Sequence, residues 1–453
     1  MNYQETIQAA GDNAQQLEIL YQAARHAGEA SAFATAIHGA HRNVPAHLLY
    51  AAWHYRLADW PVTLESRTPE RGNNIWLIAI PLSLACGLLF WLLSFDFDQP
   101  VFNDFPLLAF VWTPLCALFV LALFALVNRR FAGHGLWLGL GLALIIVYAV
   151  QIAPFLRDNR LRQDYTILAV LHLPALAWGV VGAYLLWSQS GPYQRFAFLI
   201  KSLEVIITGG LFAAAGGVFT AIALGLFEAL QVEIPDPVMR LFFVGGAGLI
   251  PVLAVATVYN PEASPLAQSF TQGLSKLIAT LMRLLLPLTL LVLGIYLCFI
   301  PFNFMAPFEN RDLLTVYNAM LFAIMGLLIG ATPVQVDDLT PALRTWLRRA
   351  LIAVAVLAVI ISLYASAAIL YRTWQGGLTP NRFTIIGWNG ANIAILLILL
   401  VKQARSNAQT WLPAMYATVS IGAMIYLIWA LSVIVVTPWL NFFLTACLPT
   451  VRC

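Results

Sequence analysis

From Ile75 onward, apolar runs of about 17 to 25 residues alternate with short polar breaks, the length an α-helix needs to cross the hydrocarbon core of a bilayer. Read this way, the pattern predicts spans at 75–93, 105–127, 136–152, 165–187, 205–227, 241–259, 284–302, 314–332, 350–371, 383–401 and 412–436. The fold class is therefore all-α, a polytopic transmembrane helical bundle of about eleven spans over residues 74–453. Residues 1–73 follow a different pattern, that of a short soluble helical segment. Asp12 can cap a run through Leu17, Ile19, Leu20 and Ala23 that Gly28 ends. A second run carries Phe33, Ala34 and Ile37. Asn43 can cap a third, with Pro45 in its first turn and Leu48, Leu49, Ala52 and Trp53 on one face. The segment resembles one unit of a helical-hairpin repeat, and one unit alone makes no solenoid. It is expected to be marginally stable by itself. Residues 264–283, with Lys276 and Arg283 on the polar side, read as an amphipathic lead-in along the interface, and 440–444 as a second interfacial piece.

Composition sharpens this picture. Of 453 residues, 61% are hydrophobic and 10% charged, against about 25% charged in an ordinary soluble domain. Lipid, not a water-facing exterior, must cover that surface. The net charge of +3 is too small to attract nucleic acid, and none is expected as a partner. The five cysteines, Cys86, Cys116, Cys298, Cys447 and Cys453, have neither Cys-x-x-Cys nor metal-ligand spacing. The first 17 residues lack the basic-then-apolar layout of a signal peptide, so the first span is expected to target the chain.

Orientation follows from Lys and Arg. With the N-terminus in the cytoplasm, 16 of the 24 basic residues fall on the inner side, including Arg344, Arg348 and Arg349. Acidic residues dominate two outer connections, through Asp96, Asp98 and Asp104 and through Glu233 and Asp236. Arg157, Arg160 and Arg162 run against the bias. The expectation is a multi-pass protein of a bacterial inner membrane, with Cys453 external. Small residues spaced by four, Gly209/Ala213/Gly217 and Gly135/Gly139, predict close helix packing. Pro81, Pro114, Pro174, Pro251 and Pro287 fall within spans.

Candidate chemistry is sparse. His26, His38, His41, His47 and His54 crowd the N-terminal segment, where 38/41 and 47/54 can each share a face, but few acids and no cysteine accompany them, so no metal is expected. His172 lies inside a span two residues before Pro174 and is a proton-relay candidate; a neutral imidazole donating to a backbone carbonyl is the structural alternative. Glu204 and Glu228 sit at the two ends of the fifth span, where they can reach water, and the scarcity of midspan carboxylates argues against an ion-coupled carrier. No nucleotide loop, catalytic triad or zinc motif occurs, and no cofactor is expected.

Phe95-Asp96-Phe97-Asp98 resembles the acidic pair in the first external loop of polytopic glycosyltransferases that use lipid-phosphate sugar donors. That resemblance implies Asp96 and Asp98 as general base and metal-binding acids, although the connection of 94–104 is shorter than the loop of those enzymes. The most specific local signal runs Tyr371-Arg372-Thr373-Trp374-Gln375-Gly376-Gly377-Leu378-Thr379-Pro380-Asn381-Arg382, followed by Trp388-Asn389. Two glycines turn the chain, and Thr379-Pro380 starts the next helix. This Gly-Leu-Thr-x-x-Arg…Trp stretch resembles a bacterial family of polytopic membrane proteins with no settled activity, and the resemblance implies a fold type and no reaction. Thr379, Asn381, Arg382, Trp388, Asn389 and Asn392 form the expected ligand-binding set. Arg382 meets either an anion such as a lipid phosphate or an acid of an outer connection (Asp96, Glu309 or Asp312), and Asn389 and Asn392 share one face. Three function classes follow: a protein that binds or handles a lipid-like or small amphipathic ligand or supports a membrane complex, a membrane-embedded transferase, and a sensor or assembly factor whose N-terminal helices recruit a protein partner. Membrane lipids are expected partners in every case.

Overall fold

A computed structural model describes residues 3–26, 30–44, 47–58, 75–96, 105–128, 133–156, 159–187, 190–270, 273–334 and 339–447. The chain forms two compact units, Met1–Gly72 and Asn73–Cys453.

The first unit holds α1 (Tyr3–Ala10), α2 (Ala14–His26), α3 (Ala30–Asn43) and α4 (Leu48–Ala58). Its core is built from Ile7, Leu17, Tyr21, Phe33, Ile37, Trp53 and Leu57. Edge-to-face pairs of Tyr21 and Phe33 with Trp53 set its centre, at ring separations of 5.4 and 5.8 Å. Helix α1 is not among the predicted runs; its polar sequence hides a core contribution from Ile7. Two predicted caps shift. Asn13, not Asp12, accepts from the Gln16 amide at 3.1 Å, leaving Asp12 to pair with His47. Asn43 ends α3, and the α4 start is met by His47, whose Nδ1 accepts from the Tyr50 amide. The histidines regroup as well: His54 lies against His38 and His41, with ring centroids 4.6 and 4.5 Å apart, instead of pairing with His47. Leu48 and Ile19, members of the apolar runs of α4 and α2, are 87% and 61% exposed.

The second unit is an all-α transmembrane bundle with, among the described residues, eleven helices long and apolar enough to cross a membrane. In chain order it comprises α5 (Ile75–Leu92), α6 (Leu107–Val127), α7 (Gly133–Ile152), α8 (Asn159–Leu185), α9 (Pro192–Ala229), α10 (Asp236–Arg240), α11 (Gly246–Val258), α12 (Gly273–Phe299), α13 (Ala306–Glu309), α14 (Arg311–Ala331), α15 (Pro341–Gly376), α16 (Pro380–Ala404) and α17 (Trp411–Cys447). A π turn, Leu241–Gly245, joins α10 to α11 in a single span. Large apolar side chains such as Leu144, Leu171, Phe219 and Leu284 face outward, the inside-out arrangement that lipid permits.

Among the described residues the bundle has two large apolar cores and a smaller cluster around Cys86, Phe90 and Leu108. One core gathers α5 to α8 and α11 around Phe110, Phe124, Leu142, Tyr165 and Val252. The other gathers α12 and α14 to α17 around Leu286, Leu321, Val354, Ile361 and Leu396. Helices α9 and α17 belong to both: Phe196 and Met415 enter the second core, Val205 and Ile434 the first.

Three expectations about packing change. Residues 273–283 continue directly into α12 as one helix, and 440–444 continue α17. The Gly209/Ala213/Gly217 stripe is mostly unpacked. Gly209 faces Ile250, but nothing lies near Gly217, and Ala213 is exposed. The closest backbone approach occurs instead where α5 meets the π turn and α11. A Cβ on Gly87 would lie 2.7 Å from the Gly245 carbonyl, and one on Gly248 would lie 2.8 Å from the Gly87 Cα. Spacing along one helix says nothing about what stands opposite it. Glu204 does not reach water either: it is 2% exposed and ion-paired.

Candidate functional site

The stretch after Tyr371 folds for local reasons. Gly377 has φ +72°, a left-handed value that suits glycine. Gly376 leaves room for the Arg382 guanidinium, which would lie 2.8 Å from a Cβ there. Thr379 caps α16, accepting from the Arg382 amide at 3.3 Å, and Pro380 occupies the first turn. The Arg382 side chain folds back and donates to the Gly377 carbonyl at 2.5 Å, while Asn381 donates to Asp164 of α8 at 3.3 Å. Thr379, Asn381 and Arg382 therefore brace this turn at one edge of the bundle.

Deeper along α16, the other predicted residues converge with partners the sequence does not single out. Trp388 Nε1 donates to His172 Nε2 at 2.8 Å, and the two rings stack 5.6 Å apart. Phe322 and Tyr426 meet the Trp388 ring edge-on at 5.1 and 5.2 Å. Asn389 Nδ2 donates to Asn318 Oδ1 at 3.0 Å and to the Ile385 carbonyl at 3.2 Å. Asn392 Oδ1 accepts from the Tyr426 hydroxyl. The result is a polar seam where α8, joined to the first core, meets α14, α16 and α17 of the second. Asn318 and Tyr426 carry no sequence signal beyond being polar positions inside apolar runs.

The geometry fixes the state of His172. A carbonyl only accepts, so Nδ1, 2.7 Å from the Leu168 oxygen, carries the proton. An indole N–H only donates, so Nε2 is the acceptor for Trp388. His172 is a neutral imidazole with both nitrogens engaged, and a proton relay through it requires one of those bonds to break. The acceptor is the Leu168 carbonyl, one helical turn back, whereas the carbonyl that Pro174 leaves without an amide donor is that of residue 170.

Two buried groups in the seam have no protein partner: Asn389 Oδ1 and Asn392 Nδ2, on residues only 1% and 0% exposed. Rotating the Asn389 amide would set its oxygen against the Ile385 carbonyl, so its orientation is fixed; rotating Asn392 exchanges one unpartnered group for the other. Each such group costs about 1–3 kcal/mol when left dry.

Asp96 sits elsewhere, 2% exposed, with Oδ2 accepting from the Leu107 amide at 2.7 Å. It braces the start of α6. Asp98 and Asp104 lie outside the described residues. No group of three or more His, Cys, Asp or Glu among the described residues is arranged to hold a metal ion. No protein-family model, curated protein or solved structure matches the chain.

Proposed function

We propose that this multi-pass membrane protein binds a small amphipathic or lipid-like molecule in the seam formed by His172, Asn318, Trp388, Asn389, Asn392 and Tyr426. The observation that carries the reading is the pair of unpartnered amide groups, an acceptor on Asn389 and, in the orientation present, a donor on Asn392, buried on one face of α16 inside an apolar bundle. A ligand offering one donor and one acceptor, as a carboxylic acid, amide or hydroxylated headgroup does, satisfies both and rests its apolar part against Phe322 and the Trp388 ring. The Thr379–Arg382 turn supports the start of α16, and Arg382 serves there as a brace for that helix. Mass spectrometry of small molecules extracted from the purified protein tests this. A species abundant with the wild type and depleted with Asn389→Leu supports the seam, whereas identical extracts from both defeat it.

A second reading, a protein partner docking on the N-terminal helices, is supported by the outward-facing Leu48 and Ile19 of that unit. The orientation proposed with both readings is N-terminus cytoplasmic and C-terminus external, in a bacterial inner membrane, following the basic bias. In a cysteine-free background, Trp374→Cys at a 91% exposed site should react with an impermeant thiol reagent on intact cells, and Gln409→Cys should not. The reverse pattern inverts the topology.

A further inference from the structure

Charge is distributed unevenly along the chain. After Asp338 the sequence has no Asp or Glu, yet eight Lys and Arg follow. Five of them, Arg344, Arg348, Arg349, Lys402 and Arg405, fall at the start of α15 and the end of α16.

One side chain sets these two helix ends level. Arg348 donates from one terminal nitrogen to the Gln403 carbonyl at 2.9 Å and to the Ser406 carbonyl at 2.7 Å, closing the C-terminal end of α16, where a cation is electrostatically favoured. Arg349, the next residue of α15, therefore stands at the depth of Lys402 and Arg405. Arg348 serves as the brace, and Arg344 has an interaction of its own. Arg349, Lys402 and Arg405 differ: they have no hydrogen-bond or ion-pair partner among the described residues, and Arg349 and Arg405 are exposed. Three cations gathered on two helices that hold no acid repel one another until an anion meets them.

The surface beside these cations points to the anion of a lipid. On α16, Leu397, Val401 and Arg405 follow one another four residues apart and share a face, and both apolar members are exposed. On α15, Val356, Ile360 and Leu363 continue the exposed stripe that Arg349 heads, at helical spacing. Arg349 and Arg405 thus each stand at the end of an outward apolar stripe, where the apolar run of the helix stops. A soluble anion would meet the charges and leave the stripes unused, whereas a phospholipid uses both. The surface is distinct from the seam, since Lys402 lies ten residues beyond Asn392 on α16, about 15 Å along the helix.

We propose that this surface binds an anionic phospholipid, of the phosphatidylglycerol type, with its phosphate against Arg349, Lys402 and Arg405 and its acyl chains along the two stripes. A phosphatidylcholine headgroup presents the same phosphate with a cation attached, and so gains little from unmatched positive charge.

The full-length protein in mild detergent, titrated under native mass spectrometry with dioleoyl phosphatidylglycerol or dioleoyl phosphatidylcholine, tests the assignment. A basic residue beside an anionic lipid surface is worth about fivefold in affinity, so the glycerol lipid should be retained at least about tenfold better. Arg349→Gln/Lys402→Gln/Arg405→Gln should bring the two lipids to within about twofold. Arg349→Lys/Arg405→Lys, which keeps the charge, should preserve the preference, and so should Asn389→Leu, which alters only the seam. Equal retention of both lipids by the wild type overturns the proposal whether or not any variant folds. A wild-type preference in the triple Gln variant overturns it too, as does loss of the preference in the Lys variant or in Asn389→Leu. Displacement of the lipid by glycerol 3-phosphate or by an acidic peptide at equal concentration would assign the surface to a soluble anion or to a protein segment and also contradict it.

Discussion

The interiors of the two membrane cores and the junction between them obey different rules. Around Phe124 or Leu396, buried side chains are almost wholly apolar and close-packed, and the sequence needs only size and shape to specify them. Where the two cores meet, buried polar groups collect instead: His172 and Trp388, Asn318 and Asn389, Asn392 and Tyr426, and, toward the other edge, Lys201 and Glu204. Lipid already covers apolar surface, so apolar contact alone gives two helical groups little reason to associate in one register; hydrogen bonds and small residues supply it. The same junction then contains the unpartnered groups that a ligand can meet. Under the proposed function, structure and recognition draw on one set of side chains there.

That contrast can be broken by mutation. The largest effect is expected from Leu396→Ala, which empties space at a fully buried position of the second core. A loss of about 2–5 kcal/mol, read as a fall in thermal unfolding temperature in detergent, is predicted. Gly387→Ala comes next. The Trp429 ring occupies the place a Cβ would take, at 1.7 Å, so α16 and α17 must separate at a cost of about 1–3 kcal/mol. A thermal unfolding temperature equal to wild type would show that the two helices are not packed as described. Thr379→Ala removes the α16 cap and should cost about 1 kcal/mol without altering ligand content, because Thr379 supports the site from outside it.

The smallest effect concerns the N-terminal unit, where burial and then the nearby His54, His41 and Arg42 hold the His38 imidazole below its ordinary range. With the folded value depressed, the unfolded chain takes up the proton first as pH falls through about 6.5. Stability contributed by neutral His38 is complete above that point and is lost as pH falls from there toward the folded value. Limited proteolysis of the intact chain should cut the 1–72 region faster at about pH 5.5 than at about pH 7.5. His38→Gln should flatten that difference.

How much of this was legible in the sequence depends on what each feature needs. The spans were, because a continuous apolar run of bilayer length has few other uses: the set of eleven apolar stretches matches the eleven apolar helices, with ends displaced where polar residues extend a helix, as at Pro192 of α9 and Gly273 of α12. The Thr379 cap and the turn at Gly376 and Gly377 were also legible, being local. Partner choice was not. His172 and Trp388 stand out as unusual residues, but that they bond to one another over 216 positions is a property of how α8 meets α16. Lys201 and Glu204 look like ordinary membrane-edge charges in the sequence; only the fold buries them against Ser269 and Ser275. The small-residue stripe on α9 misled because spacing identifies a surface able to pack and not the surface that does, while Gly387 gave no hint of the Trp429 ring it accommodates.

A binding site in the seam and a purely structural polar contact predict different responses to removal of bound lipid. The most direct measurement is the thermal unfolding temperature of the wild type and of the double variant Asn389→Leu/Asn392→Leu, each as purified and after exhaustive delipidation in detergent. A ligand held by the two amides stabilises only the protein that can bind it. The wild type should therefore lose several degrees on delipidation and the variant should lose little, ending at or above the stripped wild type because its unpartnered buried groups are gone. An equal fall in both proteins, or a variant less stable than the stripped wild type, would contradict the binding site and leave the seam as a purely structural junction.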